Sequence, residues 1–547
     1  MALPLRARGS CTEVIERVFV LLTLAPSYSV WRMFESAVAQ GPLKPALIFE
    51  SKAWTYQALH QEANAIAAAL VALGIKKGDC VAIWLPNVPF WITLFLACTK
   101  IGAPVLALNT RFKSKEVGDV LARAEAKVLV YSPHFLGIDF SALINEIDPV
   151  CLKALSQVFA WSPEASPPTK VAGLAVWDAA RLLEFHPFVT PVDTPDSACV
   201  MFTTSGTTSR PKLVLHSQRS IAHHAQDVAR ALGYEVPGSV ILVVTPLCGV
   251  SGFGVPMACI AAQAVFVLSV SFNTEQSLHI IQSHRITHIH ANHEIVRRWL
   301  DYEAGPVDFS SLKMVNCGSG IGALIERAKA RTLPLLSIYG SSEVQARFSS
   351  QLHAQNSSQA LEGGGRPLSS LARVRVADIE SGECLGPEAR GELQICAPSQ
   401  LMGYFSDSQA TQNAITHDGY VRTGDCGYIR EDGSFVLEAR IGDVLKLSGF
   451  MVSPAEIESL ILDYEGVLQC QVVGRPTARG LRAVAFVKTQ YEFQESNLRD
   501  YCRAHMAAYK VPIRIIRLDE FPVTAGVNSP KIQKNALREL AKTINIE

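Results

Sequence analysis

The sequence predicts an α/β protein: a large N-terminal domain of parallel and mixed sheets flanked by helices, followed by a small α+β C-terminal domain. Three observations carry this. Strand and helix signals alternate with short polar turns from Trp54 to Leu108, the pattern of parallel sheets covered by helices on both faces. From Val236 to Asn273 no charged residue occurs, yet Pro237, Pro246, Pro256 and several glycines cut the stretch into strand- and helix-sized pieces. Buried sheet strands fit that pattern better than a membrane span. Finally, the short apolar runs Val200 to Phe202 and Leu213 to Leu215 enclose a loop of small hydroxyl residues.

Taken in order, residues 1–30 read as an extension. Arg6, Arg8 and the apolar run Val18 to Ala25 imitate a targeting peptide, but Glu13 and Glu16 interrupt it and the run is short. Trp54-Thr55-Tyr56 leads into a helix from Gln57 to Leu73, with apolar positions three and four apart and Gly74 as its cap. Asp79 to Leu85 is a strand ended by Pro86-Asn87, Phe90 to Ile101 an apolar helix, and Pro104 to Leu108 the next strand. Asp432-Gly433 turns a hairpin of Tyr428 to Arg430 against Phe435 to Glu438, and an amphipathic helix starts at Ala455.

Composition narrows the function classes. The 547 residues are 48% hydrophobic, with Lys+Arg and Asp+Glu equal at 50 each. The length suffices for several domains, and zero formal charge argues against a nucleic-acid surface or a polybasic membrane anchor. The thirteen cysteines show neither a CxxC pair nor zinc spacing, and read as buried thiols in a reducing compartment. The chain ends Asn545-Ile546-Glu547 rather than in a peroxisomal tripeptide, so a cytoplasmic location is expected.

The loop Thr203-Thr204-Ser205-Gly206-Thr207-Thr208-Ser209-Arg210-Pro211-Lys212 presents hydroxyls, backbone N–H groups and two cations to one point, which is what a polyphosphate requires. A Ser/Thr-rich surface turn has the same composition. Farther on, Asn316-Cys317-Gly318-Ser319-Gly320 places small residues after a strand, where a flat ligand can approach backbone. In Tyr339-Gly340-Ser341-Ser342-Glu343, Tyr339 offers a stacking face, Ser342 a phosphate donor and Glu343 an oxygen ligand for Mg²⁺. Asp425, in Thr423-Gly424-Asp425, is a carboxylate able to accept ribose hydroxyls. His288, His290 and His293 suggest metal ligation, but no Cys or carboxylate set accompanies them at suitable spacing.

These motifs, from Trp31 to Leu540 and in this order, resemble the adenylate-forming superfamily of acyl-CoA synthetases, 4-coumarate ligases, luciferases and peptide-synthetase adenylation domains. The loop departs from the family pattern at Ser209 and Leu213, where glycines are usual, and both changes stiffen it. The resemblance implies that residues 203–210 and Lys212 cradle ATP with Gly318, Ser319, Gly320, Tyr339, Gly340, Ser341 and Ser342. It further implies that Glu343 carries Mg²⁺, that Asp425 is an exposed ribose ligand, and that Arg440 and Lys446 contact the nucleotide.

In Thr245-Pro246-Leu247-Cys248-Gly249, Cys248 and Gly249 stand where many family members have Phe-His beside the acid, which implies a roomier acyl pocket, with His293 lining it. The family's activated-amino-acid aspartate has no counterpart here, since Glu235 is the one acidic residue between Asp227 and Glu275.

The domain boundary implied by the resemblance runs 31–438 for adenylation, 439–442 for the hinge with Gly442 as pivot, and 443–547 for a mobile C-terminal domain. Ser448, Gly449 and Phe450 match the loop that lies along the pantetheine arm of coenzyme A. Lys531, within Asn528-Ser529-Pro530-Lys531, matches the lysine that reaches the acid and the α-phosphate, with Lys534 as its rival.

The implied activity is ATP-dependent activation of a carboxylic acid to acyl-AMP, then transfer to coenzyme A, with Lys531, Glu343 and Lys212 as catalytic residues and ATP, Mg²⁺ and coenzyme A as cofactors. The alternatives are an adenylating enzyme that passes the acyl group to a carrier protein, and a catalytically silent homologue. The absence of a carrier-like domain after residue 547 favours a diffusible thiol. The Cys248-Gly249 pair and the Lys531 loop look most like fungal ligases of secondary-metabolite pathways, so fatty-acid or secondary-metabolite chemistry and hand-off to a pathway enzyme are expected.

Overall fold

The structure is a computed structural model. It describes residues 29–544 apart from 164–165, 186–188, 205–210, 319–320, 357–358, 361, 448–449, 478–479, 507 and 525–530. The chain forms two compact units, Met1–Arg373 with Ile395–Val421, and Val374–Gln394 with Arg422–Glu547.

The first unit holds a nine-stranded sheet whose order is Gly403–Tyr404, Lys212–Ser217, Ala198–Thr204, Val105–Ala107, Val81–Trp84, Val128–Tyr131, Gln157–Ala160, Leu174–Asp178 and Lys170–Val171. Its centre is parallel, from Ala198–Thr204 through to Leu174–Asp178. At one edge Lys212–Ser217 runs antiparallel to Ala198–Thr204, and Gly403–Tyr404 antiparallel to Lys212–Ser217. A second sheet runs Lys52–Thr55, Pro45–Phe49, Val265–Leu268, Val240–Val243, His288–Ala291, Met314–Gly318, Leu335–Ser341, Gln345–Ser350, Gly363–Pro367. It is parallel between Pro45–Phe49 and Leu335–Ser341 and turns antiparallel at each end.

The helices follow from local chemistry. Thr55 caps the helix Tyr56–Ala72 by accepting from Ala58 N. The helix Pro89–Ile101 starts with proline at its first turn and ends at Gly102, in the left-handed region at φ 68°. Every residue of it is buried, and side chains such as Leu94, Phe95 and Leu96 contribute about 1.5–3 kcal/mol each by leaving water.

The uncharged stretch resolves into strand Val240–Val243, helix Val250–Ala262 and strand Val265–Leu268. No helix among the described residues is long and apolar enough to cross a membrane. Tyr56 fastens this stretch to the first helices, its hydroxyl donating toward the carbonyls of Cys259 and Ala264, each at 3.1 Å.

The second unit has the antiparallel pair Val421–Ile429 and Phe435–Arg440, and a three-stranded sheet of Val467–Thr477, Gly480–Thr489 and Arg514–Arg517. Helices Pro454–Leu462 and Glu495–His505 pack on one face through Ile457, Ile461, Leu498 and Cys502. Helix Lys534–Thr543 covers the other through Leu537 and Ala541 against Val473, Val484 and Phe486. The expected class, α/β with a smaller α+β C-terminal part, is what is found.

Candidate active site

The hydroxyl loop leaves the sheet between antiparallel strands, with Thr204 directly opposite Lys212. Thr203 is buried and Thr204 half-buried; Ser205, Gly206, Thr207, Thr208, Ser209 and Arg210 lie outside the described residues. The far stem is held by Arg123, which pairs with Asp119 at 2.6 Å and donates to the Pro211 carbonyl at 2.8 Å.

Lys212 places its Nζ 4.5 Å from the ring centroid of Tyr404, whose strand lies against its own. The same phenol donates to Glu343 Oε1 at 3.0 Å. Lys212, Tyr404 and Glu343 thus form one continuous polar cluster, a cation and a carboxylate on either side of a phenol. Glu343 follows a tight turn. Its N–H donates to Ser341 Oγ at 3.2 Å, and a Cβ on Gly340 would lie 2.3 Å from the Gln345 carbonyl. The Ser342 carbonyl accepts from His216 Nε2 at 2.8 Å, and burial pulls this fully enclosed imidazole down to about 4, so it acts as a neutral donor. Tyr339 is buried, with its ring edge-on to Phe348.

The Mg²⁺ fit can be tested on this donor set. Glu343 Oε2 takes no hydrogen bond among the described residues, and a half-buried carboxylate oxygen is a hard ligand of the kind Mg²⁺ accepts alongside phosphate oxygens. No group of three or more candidate metal ligands exists among the described residues. The residues fit a metal carried by one carboxylate and the nucleotide.

Gly318 ends its strand beside His293: a Cβ there would meet the His293 ring at 3.8 Å. His293 opens the helix His293–Leu300 and is exposed. Ser319 and Gly320 lie outside the described residues. Cys248 is buried, its thiol pushed up to about 11, and Gly249 is the N-cap of helix Val250–Ala262. His288 and His290 are both buried. His288 Nδ1 sits 2.8 Å from Thr287 Oγ1, and its ring is 5.1 Å from that of Tyr234.

In the C-terminal unit Asp425 differs from the expectation of an exposed ligand. It is 4% exposed, and Arg440 Nε pairs with its Oδ1 at 3.0 Å while Arg440 Nη1 donates to the Thr423 carbonyl at 2.7 Å. The strand register that sets Asp425 opposite Arg440 produces this pair.

Gly442 has open space around its Cα, and its carbonyl accepts from Arg538 at 2.7 Å. Lys446 lies on strand Leu445–Leu447 and Phe450 opens strand Phe450–Val452, while Ser448 and Gly449 lie outside the described residues. Lys531 begins the short strand Lys531–Ile532, with Thr524 opposite; its side chain is outside what is described. Lys534 is engaged inside its own unit, 3.6 Å from Asp443 Oδ2 and 3.7 Å from Glu458 Oε1.

Sequence reasoning missed Tyr404, His216 and Arg347. No local motif marks them, because each reaches its place through strand pairing or helix packing with residues far away in the chain.

The sequence profile of the AMP-binding enzyme family matches residues 34–405, and that of the AMP-binding enzyme C-terminal domain matches 456–526. A dioxo-octahydro-indenyl propanoyl:CoA ligase of Mycobacterium tuberculosis is 31% identical over 92% of this chain and 97% of its own. A 2-succinylbenzoate–CoA ligase of Listeria monocytogenes is 29% identical over 92% of this chain and 98% of its own. Among solved structures, ATP-bound MatB from Rhodopseudomonas palustris superposes with a TM-score of 0.81 at 23% identity, covering 94% of this chain and 99% of that one, a likeness of fold. With the family profile spanning most of the sequence and a relative matched over nearly its whole length, the chain belongs to the AMP-binding enzyme family.

Proposed function

We propose that the protein is an AMP-forming acid–thiol ligase that makes an acyl-CoA. One oxygen of a carboxylic acid bonds to the α-phosphorus of ATP as the bond to pyrophosphate breaks. The thiolate sulfur of coenzyme A then bonds to the acyl carbon of the acyl-AMP as AMP leaves. The observation that supports the reading is the Lys212–Tyr404–Glu343 cluster beside the strand that follows the hydroxyl loop, a cation and a carboxylate oxygen of the kinds a triphosphate and its metal require. The named activities of the relatives, both CoA ligases, support the second half-reaction.

In this reading Thr203, Thr204 and Lys212 bind phosphate with residues 205–210, and Gly318, Tyr339, Gly340, Ser341 and Ser342 border the nucleotide with Ser319 and Gly320. Glu343 would hold Mg²⁺, which would supply charge neutralisation to the phosphates. Asp425 binds the ribose, and Arg440 both holds Asp425 and faces the nucleotide with Lys446. Lys531 supplies charge to the acid and the α-phosphate, and Ser448, Gly449 and Phe450 contact coenzyme A. Cys248, Gly249 and His293 border the acid, and Gly442 is the pivot of the linker 439–442 between domains 31–438 and 443–547.

The twelve cysteines among the described residues are free thiols, which supports a reducing, cytoplasmic setting in which the product passes to a following enzyme. The test is acid-dependent pyrophosphate release over a panel of acids, followed by acyl-CoA detection after coenzyme A is added. Pyrophosphate release without acyl-CoA overturns the thiol acceptor in favour of a carrier protein. No pyrophosphate with any acid overturns the ligase reading.

A further inference from the structure

Behind the segment Thr245–Gly249 lies a buried polar cluster that the reaction described so far does not use. Arg347, on strand Gln345–Ser350, is 0% exposed. Its Nη2 donates to the Ser251 carbonyl at 2.7 Å, in the first turn of helix Val250–Ala262. Its Nη1 packs so closely on Gly254 of the same helix that a Cβ there would stand 2.8 Å away. Among the described residues, Arg347 Nε and Nη1 have no hydrogen-bond partner, and no ion pair involves this guanidinium. No carboxylate is fully buried anywhere in the first unit among its described residues.

Around Arg347 stand other buried polar atoms equally without partners: His224 Nε2 on helix Gln218–Ala231, His290 Nδ1 on strand His288–Ala291, and the Tyr234 hydroxyl. The guanidinium lies within electrostatic reach of all three side chains, and with burial it depresses both imidazoles. Asn316, opposite His290 in the sheet and 0% exposed, has neither amide atom satisfied.

A buried cation without a counter-charge is strongly unfavourable, and each orphaned buried polar atom adds to the cost. Natural interiors rarely leave such groups without a partner, whether protein, water or a bound ion. What these groups share is the capacity to donate: two guanidinium N–H directions, two imidazoles, a phenol and an amide. A carboxylate matches them, since it brings one negative charge and about four lone-pair directions and offers no competing donor. The cluster touches the first turn of the helix that Gly249 caps, next to the segment assigned to the acid pocket.

We propose that Arg347, with His224, His290 and Tyr234, receives a second carboxylate at the far end of the acid, so that the protein activates a dicarboxylic acid at one end while holding the other. The inference rests on the acid–thiol ligase reading and narrows its substrate class. Arg347 is then a specificity-determining residue: it contacts the substrate but not the reacting atoms.

The test compares adipate, suberate and homophthalate with their monomethyl esters, and with 7-oxooctanoate, a mono-acid with a neutral distal acceptor, in the pyrophosphate-release assay. Loss of one partner from a buried, hydrogen-bonded charge pair predicts that at least one diacid exceeds its own monoester in kcat/KM by about 30-fold or more. That diacid should also raise the melting temperature of the wild-type protein where its ester does not. Arg347→Met should erase the preference without lowering the melting temperature of the unliganded protein, because an apolar chain replaces an uncompensated buried charge. Arg347→Lys should retain part of the preference. Should Arg347→Met fail to fold, the wild-type diacid-to-ester ratio decides the matter alone.

Equal kcat/KM for diacid and monoester overturns the proposal, as does an oxo-acid that matches the diacids. A melting temperature that collapses in Arg347→Met while the preference persists in the folded fraction makes Arg347 a packing residue. These outcomes leave the ligase reading standing; silence toward every acid, charged or neutral at its far end, removes that reading and this inference together.

Discussion

Tyr404 donates its hydroxyl to Glu343 Oε1 at 3.0 Å while its ring carries the Lys212 ammonium 4.5 Å from the centroid. One aromatic side chain therefore spaces the two charges and keeps them from collapsing into an ion pair. Tyr404→Phe preserves the ring and its hold on Lys212 but releases the carboxylate. A hydrogen bond to a charged group is worth about 1.5–3 kcal/mol, so acyl-AMP formation should fall roughly tenfold, with the Mg²⁺ concentration for half-maximal rate raised. Unchanged Mg²⁺ dependence would show that the phenol does not orient Glu343.

Lys534 is committed to Asp443 and Glu458, and Glu458 is held above the usual carboxylate range by burial. Lys534→Ala should cost stability, on the order of 1 kcal/mol, and leave both half-reactions near the wild-type rate. Lys531→Ala should lower acyl-AMP formation by about 100-fold or more, the cost of one positioned charge-stabilising group, and spare thioester formation from supplied acyl-AMP. Equal loss in both half-reactions identifies Lys531 as structural.

Asp425 pairs with an arginine whose side chain is 58% exposed. Solvent screens that pair, so Asp425→Ala should remove only about 0.2–1 kcal/mol of stability. If the carboxylate also binds ribose, affinity for ATP and AMP should fall on the order of 10- to 100-fold. Calorimetric titration of AMP beside a thermal melt reads both. Early melting with unchanged AMP affinity would leave Asp425 as a strand-pairing residue alone.

Four of the five histidines buried among the described residues make the fold strongly acid-sensitive. Burial is the first cause in each case: His216 and His288 are pulled down to about 4, His224 to about 3, and His290 well below its ordinary value. Unfolded, each titrates near 6.5. Between these values the unfolded chain binds more protons than the folded one, so stability is present above pH 6.5 and is lost as pH falls toward 4. Each group contributes a slope of up to about 1.4 kcal/mol per pH unit in that window. The melting temperature should drop steeply from pH 6.5 to 4.5, and the drop should be shallower in His224→Gln. A flat profile would mean these rings are solvated in the folded state.

What the sequence determined by itself is what depends on near neighbours. The helix Tyr56–Ala72 and the hairpin of Tyr428 against Val436 were legible because apolar period, capping residues and Asp-Gly turn chemistry act within a few residues. So were the strands Ala198–Thr204 and Lys212–Ser217 that flank the hydroxyl loop, because short apolar runs mark them in sequence order.

Tertiary structure alone decided which of these meet, and what else joins them. Strand register brought Val214 beside Tyr404 and so placed a phenol between Lys212 and Glu343, and it enclosed Asp425 by setting Arg440 opposite it. Helix packing on the sheet buried Arg347 completely, with no counter-charge among the described residues. No local pattern encodes these outcomes, because register and burial are set by the whole sheet's demand to pair its backbone and cover its apolar face, and charge partners follow from that arrangement.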